Sequence, residues 1–214
     1  QGVSSAASDV YKRQAVVMPI QFTMLLAGIL GAISVTGEYS TGMIRSTLAA
    51  NPKRGSVLGA KAVVVGLFMF VSSLVIFLAA AVAVSAVVAS RDQGIDWGDP
   101  AASFLPIVVS SLAMAVFALI GVAFGFILRS GAGAIAATVG LLFVLPIVAS
   151  FFAVAGEAWA WVMDAAGYLP VAAAQSAILP EGAALEAPVA YLTLAAWVAA
   201  GMLGAWAVLR TRDA

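Results

Sequence analysis

Long apolar runs, separated by short polar connections, follow one another along the chain. A helix that crosses about 30 Å of hydrocarbon needs about 20 mainly apolar residues, since each residue rises about 1.5 Å. Five stretches meet that length: residues 15–36, 62–90, 103–128, 134–155 and 187–209. The second exceeds it and is expected to tilt or project beyond the bilayer. Pro146 lies inside the fourth and should kink it, because proline lacks the backbone donor and its ring clashes with the preceding turn. The pattern predicts an all-α fold, a polytopic membrane helical bundle. Small residues recur at helix-interface spacing, as Gly121-x-x-x-Gly125 and as Ala196, Ala200 and Gly204. Such faces let helices approach closely, within one chain or between subunits.

The polar connections give a direction to the bundle. Residues 37–61 hold Arg45, Lys53, Arg54 and Lys61 against Glu38; Arg129 marks the next turn on that side, and Arg210 and Arg212 close the chain. The alternate connections hold Asp92, Asp96 and Asp99 with Arg91, then Glu157, Asp164, Glu181 and Glu186 with no basic residue. Lys and Arg concentrate on the cytoplasmic side of membrane proteins, which places 37–61 and the C-terminus in the cytoplasm. Residues 156–186 then form an external insert, whose Trp159, Trp161 and Tyr168 suit the outer interface. Lys12 and Arg13 break the alternation, and VSSAASDVYKRQ, residues 3–14, lacks the Ala/Val character of the rest. Residues 1–14 are therefore read as a non-native junction sequence, and 15–214 as the membrane domain.

Composition narrows the chemistry. Apolar residues make up 64% of the chain and charged residues 9%, against roughly 45–50% and 25% in soluble domains. A soluble chain of this length could not cover that much apolar surface. Zero net charge gives no sign of a nucleic-acid partner. The chain has no Cys and no His, which removes thiol nucleophiles, disulfides, thiolate or imidazole metal sites and imidazole acid–base chemistry. No catalytic, metal or cofactor-binding residue is predicted. Gly55, Gly59 and Lys61 resemble a phosphate-binding loop only superficially: the spacing is one residue short and Ala62 stands where Ser or Thr is required. The five span interiors carry no Asp, Glu, Lys or Arg, which argues against proton-coupled secondary transport and leaves sodium sites of backbone and hydroxyl oxygens open. Without paired carboxylates at one depth, an intramembrane protease has no acid–base machinery. A non-transporting membrane scaffold is the remaining alternative.

The 37–61 connection reads GEYSTGMIRSTLAANPKRGSVLGAK. It predicts a short amphipathic helix capped by Ser40 or Thr41, with Glu38 near the positive end of its dipole. Met43, Ile44, Thr47 and Leu48 share one face, and Arg45 and Ser46 lie elsewhere. Asn51-Pro52 stops the helix, because the residue before proline disfavours helical geometry. Lys53, Arg54 and Lys61 return the chain to the membrane surface. Arg54 and Lys61 also suit lipid headgroups, and Glu38 and Arg45 suit pairing with each other.

This segment resembles the type-2 ABC exporter permeases. Their loop runs Glu-Tyr, then Gly, Arg, Leu, Pro-x-Arg and Lys at similar offsets, matched here by Glu38, Tyr39, Gly42, Arg45, Leu48, Pro52, Arg54 and Lys61. The resemblance implies a coupling helix that docks on a separate ATP-binding subunit, which holds the ATP and Mg. It implies six spans with both termini cytoplasmic, an external helical insert before the last span, and a bacterial inner (plasma) membrane location. Residues 168–178, YLPVAAAQSAI, are weakly similar to the Leu-Pro segment of that insert. Two permeases, as a homodimer or heterodimer, would each form half of the translocation path. The five spans present would be the second to the sixth, with another expected upstream in the natural gene.

Overall fold

The computed structural model describes the backbone of residues 2–51, 53–88, 100–152, 157–180 and 183–211, and the side chains of 20–51, 53–85, 103–152, 158–180 and 183–211. Pro52, the 91–99 connection, Glu181 and Arg212 fall outside the described residues, as do the side chains of Lys12 and Arg13. No strand occurs among the described residues. The described residues form helices joined by short turns: α1 (Gly2–Ser40), α2 (Met43–Ala50), α3 (Arg54–Val88), α4 (Pro100–Leu128), α5 (Gly131–Val139), α6 (Leu145–Phe152), α7 (Ala160–Gly167), α8 (Pro170–Ile178) and α9 (Ala187–Thr211).

Five helical stretches among the described residues are long and apolar enough to cross a membrane: Ile20–Ser40, Arg54–Ser85, Ser103–Leu128, Gly131–Phe152 and Ala187–Thr211. The second helix begins at Arg54 rather than near residue 62, so Arg54 and Lys61 belong to its first turns and not to a loop. Their long side chains let the helix start beyond the apolar run, since the stems lie on apolar surface while the charged heads reach a polar partner. α1 runs unbroken from Gly2 to Ser40.

The bend expected at Pro146 takes the form of a widened, π-helical turn over Gly140–Val144, between α5 and α6. The Leu145 N–H reaches back to the Gly140 carbonyl, five residues away. Pro146 offers no N–H to the preceding turn, and the wider turn redistributes the carbonyls left behind.

α4 is the buried axis, packed against α1, α3, α5, α8 and α9. Phe117, Val122 and Phe126 along it are fully enclosed. Its closest neighbour is α1, and the contact is backbone on backbone. A Cβ added to Gly31 would fall 2.0 Å from the Ala118 carbonyl oxygen, and one on Gly121 would fall 1.9 Å from that of Gly28. Gly125 meets Val35 and Ala32 in the same seam. The Gly121-x-x-x-Gly125 face is therefore spent on packing within the chain and is closed to a second subunit. Ala196 and Ala200 are exposed, whereas Gly204 lies against Ile127 of α4.

The 156–186 insert does not simply rest outside the bundle. Trp161 and Tyr168 are exposed, and Trp159 stacks on Phe152 of α6 with ring centroids 4.9 Å apart. α8 goes inward: Val171, Ala173, Ala174, Ala177 and Ile178 join Met24, Phe117, Leu142, Ala190 and Leu194 in the main apolar cluster. Pro170 at its first turn loses nothing, because the opening N–H groups of a helix have no internal partner. Buried hydroxyls bond their own helices: Thr36 donates to the Ala32 carbonyl, Ser111 to Ile107, Thr138 to Ala134 and Ser176 to Ala172. That arrangement satisfies polar groups where no water is at hand.

The α1–α4 seam predicts a sharp contrast between glycines. Gly31→Ala or Gly121→Ala must push two backbones apart, a cost of about 1–3 kcal/mol or more. Gly37→Ala and Gly59→Ala meet no atom within 4 Å and should be neutral or stabilising by up to about 1 kcal/mol. Thermal unfolding in detergent is expected to separate the two pairs by several degrees. Equal melting of all four variants would contradict the seam.

Candidate functional site

The site is built where α1 ends, α2 turns across the end of the bundle, and α3 begins. α1 continues to Ser40, so Glu38 lies in its last turn and not at the start of α2. The Ser40 and Thr41 hydroxyls do not cap α2; both donate to the Gly37 carbonyl at 2.9 Å. The residue that starts α2 is Gly42, at φ 74°, with no side-chain cap. This left-handed turn is open to glycine at no steric cost and to other L-residues only with strain. It replaces the hydroxyl cap by reversing the chain sharply enough to lay α2 across the helix ends.

α2 has two unlike faces. Ile44, only 4% exposed, packs with Val35, Leu58, Val122, Phe126, Ala205 and Leu209, and Leu48 backs the same cluster. Thr47 is half-buried and donates to the Met43 carbonyl. Met43 is 56% exposed, so it does not share the buried face with Ile44 as its spacing led us to expect. Arg45, Ser46, Ala49 and Ala50 are exposed too. At the far end the Asn51 N–H bonds the Thr47 carbonyl, its side-chain oxygen accepts from the Lys53 N–H at 3.1 Å, and its amide donates to the Ser56 hydroxyl at 2.7 Å. That turn carries the chain directly into α3.

Polar contacts then lash the helix ends together. Glu38 pairs with Lys61 across the α1–α3 gap, both side chains about three-quarters covered. Tyr39 meets Phe126 of α4 edge-on, with centroids 6.4 Å apart, and the Arg129 guanidinium lies 5.5 Å from the Tyr39 ring centre. Arg129 holds φ 53°, uncommon for a non-glycine residue, in the short turn from α4 to α5. The Ser130 hydroxyl then caps α5 by accepting from the Gly133 N–H. Arg54 donates to the Leu209 carbonyl at 2.6 Å, in the last turns of α9.

The family of ABC-2 family transporter proteins matches residues 3–211, nearly the whole chain. The chain belongs to the ABC-2 transporter family. Comparison with curated proteins finds no match. The protein is thus a multi-pass membrane permease of an ABC transporter, of a family that normally works with an ATP-binding subunit.

Within this ABC-2 permease, the residues singled out from the loop pattern divide into two groups. Glu38, Tyr39, Leu48, Arg54 and Lys61 face their own chain and hold the loop in place. Gly42 shapes the turn. Among the described members Arg45 is the one charged side chain presented on the outside of α2; it does not pair with Glu38, whose partner is Lys61. Pro52 lies outside the described residues. The brace also uses groups that carried no such signal in the loop pattern: Arg129, which the charge pattern marks only as topology, Phe126, and a main-chain carbonyl at Leu209. A basic residue in a short turn between two spans was the one available hint for Arg129.

The Glu38–Lys61 pair yields a test. Glu38→Gln or Lys61→Met leaves the other charge partly covered without a partner and should cost about 1–3 kcal/mol. Exchanging the two charges, Glu38→Lys with Lys61→Glu, should recover at least half of that loss. It also removes a carboxylate from the negative end of the α1 dipole. Thermal stability in detergent reads the cycle. An exchange no better than the worse single variant would show that the pair does not brace the loop.

Proposed function

We propose that this permease is the membrane subunit of a bacterial ABC exporter and that α2 is the surface on which a separate ATP-binding subunit docks. The observation that carries this reading is the two-faced α2, braced from behind at Ile44 and Leu48 and presenting Met43, Arg45 and Ser46 outward. A force applied to a helix held this way moves the bundle rather than the loop alone. ATP and Mg belong to the partner, and this chain contributes half of a translocation path completed by a second permease. Arg45, Lys53, Arg129 and Arg210 gather at the α2 end of the chain, which supports a cytoplasmic position for α2 and the C-terminus in an inner (plasma) membrane. The span interiors carry no Asp, Glu, Lys or Arg, which favours ATP-driven over proton-coupled transport.

Arg45 is the residue to remove. Arginines at the centre of an interface often carry about 2 kcal/mol or more of binding. Arg45→Ala should therefore weaken co-purification of the ATP-binding subunit by about 30-fold, with membrane insertion and melting temperature unchanged. Val71→Ala, on the exposed apolar face of α3, should have no effect. If Arg45→Ala and the double variant Met43→Ala, Arg45→Ala both retain the partner as the parent does, α2 is not the docking surface.

A further inference from the structure

The last helix is fastened at two levels, near its C-terminus beside α2 and at mid-length beside α8. At the α2 end Arg54 donates to the Leu209 carbonyl, supplying a partner to a carbonyl in the closing turns of α9 and a positive charge at the negative end of its dipole. Trp206 lies against Gly55, where an added Cβ would come 3.5 Å from the indole Nε1, and the Arg210 guanidinium covers the Trp206 ring at 4.2 Å. Ala205 and Leu209 share one apolar cluster with Ile44 of α2. At mid-length Trp197 Nε1 donates to the Tyr168 carbonyl at 2.9 Å, at the corner between α7 and α8. Ala190 and Leu194 pack there among Val171, Ala174 and Ala177 of α8.

The two fastenings are joined by continuous α-helix. From Trp197 to Leu209 the path is about 18 Å at 1.5 Å per residue, with no proline and no widened turn. The α5–α6 span, by contrast, is interrupted at Gly140–Val144. α4 also reaches both ends and is the most enclosed of the spans, packed against five helices with Leu105, Val108, Leu112 and Leu128 still exposed, whereas α9 is far less covered, with Leu192 and Leu203 exposed along its outer face. α4 is thus the support against which α9 packs.

We infer that α9 is a rod linking α2 to the α7–α8 corner, with Arg54 and Trp197 as the positioning residues that fasten it at its C-terminal end and at mid-length. Displacement of α2 is delivered through Arg54, Leu209 and the shared apolar cluster to α9, and through Trp197 to the Tyr168 carbonyl and α8. The source of that displacement rests on the docking role proposed for α2. The link itself is a property of this chain and is testable without any partner.

Because the chain contains no cysteine, single reporter thiols serve as probes in this chain in liposomes. One reporter is Ser46→Cys on α2; the other is Ala165→Cys on α7, both at exposed positions. The readout is the rate of labelling by a maleimide. Each substitution releases one fastening of the same helix, so Arg54→Gln should change the rate at position 165, and Trp197→Phe should change the rate at position 46. Each change should be about fivefold or more, the lower end of couplings between distinct sites. Arg54→Lys should restore part of the parent rate, and Val71→Ala should alter neither reporter. If Arg54→Gln does not insert, Arg54→Lys against the parent carries the same comparison. Rates that change only at the end where the substitution lies would overturn the rod. An α2 that fails to bind an ATP-binding subunit would leave this result as it stands, so the two readings fail separately.

Discussion

Helices inside a bilayer gain little from burying apolar surface against one another, because lipid tails are as apolar as the side chains they would replace. What holds this bundle is close approach, and it is closest where Gly28 and Gly31 of α1 meet Gly121 and Ala118 of α4, with Gly125 continuing the seam against Ala32 and Val35. The remaining architecture depends on that seam. It puts the last turn of α1 beside the last turns of α4, so Tyr39 meets Phe126 and comes beneath Arg129. It also carries Glu38 to within reach of Lys61 on α3. Widen the seam and the polar contacts at the helix ends lose their register together.

From that register follows the character of α2. A helix of eight residues is too short to be stable on its own, and this one is held by what lies beneath it. Ile44 and Leu48 anchor it to α1, α3, α4 and α9 at once. The left-handed turn at Gly42 and the Asn51 turn set its two ends. The outcome is a rigid platform with Arg45 on its open face, built from a loop pattern whose other members mostly face inward. Residues grouped by a shared sequence pattern thus perform different physical tasks: most hold the platform, and one is presented by it.

The spans, their number and the loop that carries the family resemblance were legible in the sequence, because each rests on a run of one chemical character or on several residues at set spacing. The direction of individual side chains was not. Gly121-x-x-x-Gly125 fits an inner or an outer interface equally, and only the position of α1 decides it. Residues 168–178 read as a modest external helix, since an Ala-rich segment looks alike in and out of a core, yet α8 is buried among α1, α4 and α9. Ser40 and Thr41 are good caps in general, but α1 runs through Ser40 and both hydroxyls bond the Gly37 carbonyl instead. The Arg54 contact is made to a main-chain carbonyl far along the chain, a partner that no side-chain pattern encodes.

The central claim is that α2 is presented by a brace made within its own chain. A structure of the permease bound to its ATP-binding subunit in a lipid nanodisc tests it most directly. The account predicts partner atoms against Met43, Arg45 and Ser46, with Glu38 still paired to Lys61 and Arg54 still bonded to the Leu209 carbonyl. A complex in which Glu38 or Arg54 leaves its own chain to reach the partner, or in which the Arg45 face of α2 lies against lipid, would contradict it.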